Sequence, residues 1–197
     1  FAVTVTWDGE ADNTWRNPTN LDGDVIPADG DDVVFDGGVT TSSCTIDDLS
    51  NLTTGLLSFT VQNGYTGTID FSGSPALTTT SGFSITSGAT FDAANADDII
   101  IGGTFTINHA SAVFTCSANI LEVRNTFSLT AVNTFDATTN LGTIKFSGGS
   151  FTISDNFTAY NLVFDASSST RTFTIASGKT IIVSNTLLVT GDASCII

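Results

Sequence analysis

The chain has 197 residues, with 20 Asp plus Glu set against 5 Lys plus Arg, for a net charge of −15. That balance argues against nucleic acid and anionic membrane as partners, because both are bound through basic patches. The 41% hydrophobic content excludes a disordered chain, and the length fits one domain with a sizeable core. Only 13% of the residues are charged, so Thr, Ser, Asn and Gly must cover most of the surface. No run of about 18 apolar residues is present to span a membrane. Met is absent even from position 1, which suggests a removed signal peptide or a piece of a longer chain.

Residues 1–32 differ from all that follows. Phe1 to Trp7 alternates like a strand and leads into a turn-rich segment with Trp15, Pro18 and Pro27. A stack of strands exposes unpaired edges and apolar side chains at its ends. Both tryptophans and two of the three prolines lie in this segment. We read residues 1–32 as an N-terminal cap and 33–197 as the body of a single domain.

The opening phrase runs Thr6-Trp7-Asp8-Gly9, Asn13-Thr14-Trp15, Asn20, Pro27 and Gly30-Asp31-Asp32-Val33-Val34-Phe35. It resembles the entry segment of large bacterial surface β-solenoids of the autotransporter and filamentous-haemagglutinin-like type. Leu21 departs from that pattern, which has an aromatic there. The resemblance covers about 35 residues by motif. It implies a parallel β-helix on a cell surface and carries no activity or partner with it.

One short phrase recurs along the body, as Phe83-Ser84-Ile85, Phe105-Thr106-Ile107, Phe127-Ser128-Leu129, Phe151-Thr152-Ile153 and Phe173-Thr174-Ile175. The Phe positions are separated by 22, 22, 24 and 22 residues. Each phrase alternates apolar, hydroxyl, apolar, the period of a half-buried strand, and a repeat of this length marks a solenoid. A second strand set contains Phe91, Phe114 and Phe135, with Phe157 and Ile181 in the later coils. The third holds Ile99–Ile101, Ile120–Val123, Thr143–Phe146, Asn161–Phe164 and Thr186–Val189. Three strands per repeat predict an all-β, right-handed parallel β-helix of roughly seven coils, about 22 residues each.

Before residue 83 two phasings compete. Phe59 falls 24 residues ahead of Phe83, whereas Gly67-Thr-Ile-Asp-Phe-Ser-Gly73 echoes Gly142-Thr-Ile-Lys-Phe-Ser-Gly148 and implies another register. At the far end Cys195, Ile196 and Ile197 open a new coil 22 residues after Phe173. Together with Phe1, Trp7 and Trp15 they form the candidate assembly ends, joined head to tail or continued by a longer chain. Deleting Phe1–Trp7 is expected to abolish head-to-tail joining if that segment caps a neighbouring subunit.

Chemistry-bearing residues are sparse. His109 is the one histidine and has no partner at ligand or triad spacing. Cys44 and Cys116 would sit about three layers apart, roughly 14 Å, too far for a disulfide, and read as small core residues. Asp92 and Asp136 would stand two layers apart, roughly 10 Å, wider than a glycosidase pair of about 6.5–9.5 Å. Asp22, Asp24, Asp29, Asp31 and Asp32 are candidate calcium ligands on a Gly-flexible loop, with ordinary Asp-Gly turns as the competing reading.

Flanking each Phe, Ser84, Thr104, Thr106, Thr126, Ser128, Ser150, Thr152, Thr172 and Thr174 predict two outward ladders of hydroxyls at ~4.8 Å spacing. Such a face suits a glycan surface or ice, although exposed Thr is also ordinary strand chemistry. We therefore expect a non-enzymatic, secreted structural module of an extracellular fibre, sheath or adhesin, with no cofactor unless calcium binds. A carbohydrate-binding or polysaccharide-degrading β-helix and an ice-binding face are the alternatives.

Overall fold

The computed structural model describes residues 2–168 and 170–191, with the side chains of all of these except Asn133 and Phe151. Phe1, Cys195, Ile196 and Ile197 lie outside the described residues. The early strands are β1 (Thr4–Trp7), β2 (Asp32–Asp36), β3 (Cys44–Ile46), β4 (Leu56–Gln62) and β5 (Thr68–Phe71). The middle of the chain forms β6 (Leu77–Ile85), β7 (Thr90–Asp92), β8 (Ile99–Ile101), β9 (Thr104–Thr115), β10 (Ile120–Val123) and β11 (Phe127–Asp136). The last are β12 (Thr143–Phe146), β13 (Phe151–Ile153), β14 (Phe157–Ala166), β15 (Phe173–Ile175) and β16 (Ile181–Gly191). They build a parallel β-solenoid of about seven turns, with ~23 residues per coil.

Every strand-to-strand pairing is parallel and joins segments one coil apart, so three walls result. The first wall stacks β1, β2 and β4, then the Phe83, Phe105 and Phe127 phrases. The second stacks β3, β5 and β7, then the later parts of β9 and β11. The third runs from Leu77–Thr79 through β8, β10 and β12 to the later parts of β14 and β16. Long strands such as β9 and β11 turn a corner without breaking, and bulges at Ser128/Ala131 and Val132/Thr134 absorb the bend.

The competing phasings are resolved. Phe59 pairs with Phe83, so it is the preceding first-wall anchor. The Gly67 phrase lies in the second wall, where Ile69 pairs with Phe91, while the Gly142 phrase lies in the third, where Ile144 pairs with Leu121. Both phrases encode the same local unit, a tight corner leading into a strand. A Cβ on Gly67 would sit 2.6 Å from the Tyr65 hydroxyl, and one on Gly142 would sit 2.2 Å from the Ser117 carbonyl.

Inward positions form the core, and phenylalanine dominates it. Phe59, Phe83, Phe105 and Phe127 stack in one file with centroids 5.2–5.5 Å apart. Phe91, Phe114 and Phe135 form a second file, and the two meet edge to face, as at Phe105–Phe114 (5.2 Å, 90°). Among the buried polar residues, Thr79 occupies an apolar file. Thr79 is fully buried where the next coils place Ile101, Val123 and Phe146, and its hydroxyl has no partner. Thr79→Val is therefore expected to stabilise the fold by about 1 kcal/mol, because it removes a desolvated hydroxyl at nearly constant shape. A thermal melt reads this, and a lowered Tm would show that the hydroxyl is satisfied.

The N-terminal region differs from a separate cap. β1 pairs with β2 in register (Thr4 with Asp32, Trp7 with Phe35), so it is the first rung of the first wall. Thr14 bridges Thr45 in the second wall. Closure comes from the chain folding back: Leu21 bridges Trp7 antiparallel, and Asp22 N–H donates to the Thr6 carbonyl at 2.8 Å. Asn20, fully buried, holds that return. Its Oδ1 accepts from Ala11 N and Asp12 N, and its Nδ2 donates to the Asp12 carboxylate and the Thr14 carbonyl, all at 2.7–2.9 Å.

Candidate functional site

The hydroxyl ladder is shorter and less regular than the repeat implies. Thr60, Ser84, Thr106 and Ser128 align rung on rung. Thr104 is exposed but stands opposite Gly82, and Val34 occupies the Thr60 line one coil earlier. After Ser128 the first wall breaks. Thr152 pairs with Thr174 in a separate two-stranded sheet formed by β13 and β15. At the break, Leu129 N–H donates to the Asp155 carboxylate at 2.8 Å instead of to a neighbouring strand. Ser150 Oγ accepts from Thr172 N–H at 2.7 Å, and Ser128 Oγ lies 2.9 Å from Thr130 Oγ1. The two continuous ladders expected from Ser84 to Thr174 are therefore interrupted between Ser128 and Thr152.

The acidic loop is also rearranged from the calcium expectation. Asp29 accepts from the amides of Thr53, Thr54 and Gly55 and from the Thr53 hydroxyl, clamping the next coil. Asp31 is buried and accepts from Val3 N and Ala28 N, and Asp32 accepts from the Ser58 hydroxyl. Asp22 and Asp24 are exposed. Among the described residues no group of three or more His, Cys, Asp or Glu is arranged to hold a metal ion. Spacing suggested convergence, but Asp29, Asp31 and Asp32 are turned towards amides and hydroxyls. Melting with and without EDTA tests the loop: a drop of several degrees on chelation would support calcium there, and an unchanged Tm would leave the acids to ordinary turns.

These clamps make stability acid-sensitive. The Thr14 amide leads the interactions that hold Asp12 at about 2, and the Thr53 hydroxyl leads those that hold Asp29 at about 2. At Asp136 burial pulls upward, but hydrogen bonds from Thr139 and Thr138 outweigh it and bring the group to about 2. Each folded value lies below the ordinary Asp value of roughly 3.9, so the stabilisation is complete above that pH. It is lost as pH falls towards 2. Melting curves should show Tm falling between pH 4 and pH 2, with no comparable fall from pH 7 to 5. Asp29→Asn should flatten the acid limb, and an unchanged limb would remove the clamp from the explanation.

Asp92 and Asp136 stand two rungs apart on the second wall, as their spacing predicts, with Thr115 between. Two surface features escaped the sequence reading, the first being Asp70, which pairs with Asp92 on the rung before it. The 22-residue interval from Asp70 to Asp92 was the signal, hidden because Asp70 precedes its Phe whereas Asp92 follows one. Thr45 Oγ1 donates to Asp70 at 3.0 Å, and Ala94 N–H donates to Asp92 at 3.0 Å. On the third wall Glu122, Arg124, Lys145 and Asp165 form a ladder of ion pairs at 2.8–3.7 Å. Arg124 is exposed, so its pair contributes little, whereas Glu122, Lys145 and Asp165 are half-buried.

No family model, curated protein or solved structure matches this chain. Function must therefore be argued from the molecule itself. His109 sits at a corner, where its Nδ1 accepts from Ser111 N–H at 3.2 Å. Cys44 and Cys116 are buried, and burial pushes both thiols well above their ordinary range. Such thiols pack as small apolar groups and react slowly.

One concave feature among the described residues is a cleft of about 570 Å³ beside the loop from Asp47 to Gly55, floored by Pro75, Ala76 and Thr78. It exists because, among the described residues, the third wall has no strand before Leu77. In the two preceding coils, loops run where that strand would lie. Asp48 guards the cleft and pairs with Arg16, and its carboxyl is held low by the amide and hydroxyl of Ser50 and by the Arg16 charge.

The two ends of the solenoid are unequal. At the N-terminal end Trp7 and Trp15 are fully buried, stacked 5.9 and 6.4 Å from Phe35. They are core, and this corrects their expected role as assembly surface. At the other end the inward positions of the last described coil are open, with Ile175 49%, Leu187 57% and Val189 38% exposed.

Proposed function

We propose that the chain is a non-enzymatic structural module of an extracellular fibre, sheath or large cell-surface adhesin, similar to the autotransporter and filamentous-haemagglutinin-like solenoids. The observation that carries this reading is the inequality of the ends. One end is closed by its own backbone, and the other presents core-type side chains at Ile175, Leu187 and Val189. An apolar rung left open in water favours whatever continues the stack. The acidic, hydroxyl-rich and lysine-poor surface suits life outside the cell.

The expected mode of joining changes with this geometry. Thr4–Trp7 is paired within its own chain, and its outer edge is occupied by Leu21–Asp22. It does not serve as a strand to lend to a neighbour. The exposed apolar side chains of β15 and β16 are instead the surface offered for joining. For the isolated chain, one adhesive end predicts a closed two-fold dimer and no filament. Analytical ultracentrifugation should show concentration-dependent dimers that Leu187→Lys abolishes. Open-ended polymers would restore head-to-tail joining, and a strict monomer at all concentrations would overturn the proposal.

A further inference from the structure

We propose that the last two coils, β13 to β16, open as one cooperative unit ahead of global unfolding, parting from the stack between β11 and β13. The unit carries Ile175, Leu187 and Val189, so its release takes the open apolar end with it. This does not rest on the structural-module reading, because the junction lies within the chain and opens whether or not anything joins the end.

Successive coils through the middle of the stack are joined in all three walls. Gly82–Ile85 pairs with Thr104–Ile107 in the first wall, β7 with β9 in the second, and β8 with β10 in the third. The last two coils are as fully joined to each other, through β13 with β15 and both parts of β14 with β16. Between these two blocks the pattern fails. Among the described residues no ladder joins β11 to β13, and the second wall is reduced to the single bridge Ala137–Ala159. The third wall alone runs through, with β12 paired to β14 from Thr143–Asn161 to Phe146–Phe164. A solenoid coil is held by its neighbours, so a junction short of two ladders is where the stack separates.

Local contacts stand in for the missing ladders. Leu129 N–H donates to the half-buried Asp155 carboxylate at 2.8 Å, which closes the first wall with a side chain. Behind it Phe157 packs 5.2 Å from Phe127 and 6.2 Å from Phe135 and Phe146. Tyr160 N–H donates to the Ala137 carbonyl at 2.9 Å. The chain enters the unit through Ser147-Gly148-Gly149-Ser150, whose backbone freedom lets the unit part while β12 stays on β10. The N-terminal rung also has one ladder and one bridge, but it is held otherwise. There Trp7 and Trp15 are buried against Phe35, and Asn20 ties the returning chain with four hydrogen bonds.

Native-state hydrogen exchange in rising guanidinium tests this, read by mass spectrometry at a dilution where the chain is monomeric. Amides of β13, β14, β15 and β16 should share one opening with one denaturant dependence, exchanging about tenfold or more faster than those of β8 and β10. Asp155→Ala strands the Leu129 amide, and should speed exchange of all four strands about tenfold while leaving β2 to β8 unchanged. The parent's exchange pattern stands whether or not that variant folds. Exchange that grades inward from β16, with β13 and β14 as slow as β10, would replace the unit with simple end fraying and overturn the proposal. So would exchange of every strand through global unfolding alone, or an Asp155→Ala effect spread equally over β2 to β8.

Discussion

Phe105→Ala is expected to destabilise the solenoid by about 3–5 kcal/mol. Phe105 is fully buried and touches four other rings: Phe83 and Phe127 stacked at 5.2 and 5.4 Å, Phe114 and Phe135 edge-on at 5.2 and 6.2 Å. Removing it deletes the transfer term and opens a cavity where both files meet, and parallel walls pinned by strand pairing above and below cannot collapse inward to fill it. The four lost ring contacts are part of that loss. In thermal melts of a chain this long, the loss corresponds to about 6–20 °C. Thr106→Ala, the adjacent residue on the outward face, should shift Tm by very little. Because coils interact mainly with their neighbours, the Phe105 variant should also broaden the transition as the two halves of the stack uncouple. Comparable shifts for the two variants would mean that inside and outside have been assigned wrongly.

Asn20→Ala is the second expected large effect, of about 3–4 kcal/mol. The side chain makes four hydrogen bonds in a fully buried setting, and alanine would strand the amides of Ala11 and Asp12 without partners. The consequence extends beyond stability. Asn20 positions the return of the chain that covers the outer edge of β1, since its carbonyl accepts from Asp8 N and Gly9 N and Asp22 N–H donates to Thr6. Loss of that return frees a strand edge, so the variant should also associate through its N-terminal end. Asn20→Asp is a sharper probe. It keeps the shape but sets a carboxylate oxygen against Asp12 and the Thr14 carbonyl, which cannot donate to it. Its loss should be large at pH 7 and should shrink as that new carboxyl becomes protonated. A pH-independent loss would show that packing, not hydrogen bonding, makes Asn20 matter.

Much of the architecture was legible because it rests on local rules. Alternation decides which face of a strand is buried, and the 22-residue return of Phe decides what stacks on it; Phe83, Phe105 and Phe127 pair as their spacing requires. The third-wall set from Ile99 to Val189 is likewise aligned rung by rung. These features need no knowledge of distant residues. The same locality explains the ambiguity of the two Gly-Thr-Ile phrases, because a corner and a strand look alike in any wall.

Tertiary structure decided what depends on how many residues each corner consumes. The 24-residue step from Phe59 to Phe83 keeps the first wall in register, whereas the equal step from Phe127 to Phe151 leaves the wall and the hydroxyl ladder broken between Ser128 and Thr152, a difference that spacing alone does not show. The acids from Asp22 to Asp32 suggested an ion because composition records only their proximity in sequence. The fold turns Asp29 towards amides of Thr53, Thr54 and Gly55, about one coil away. Closure of the N-terminal end and the gap in the third wall were hidden for the same reason. Both are defined by which backbone groups find partners across coils, and that pairing is settled only when the rungs are stacked.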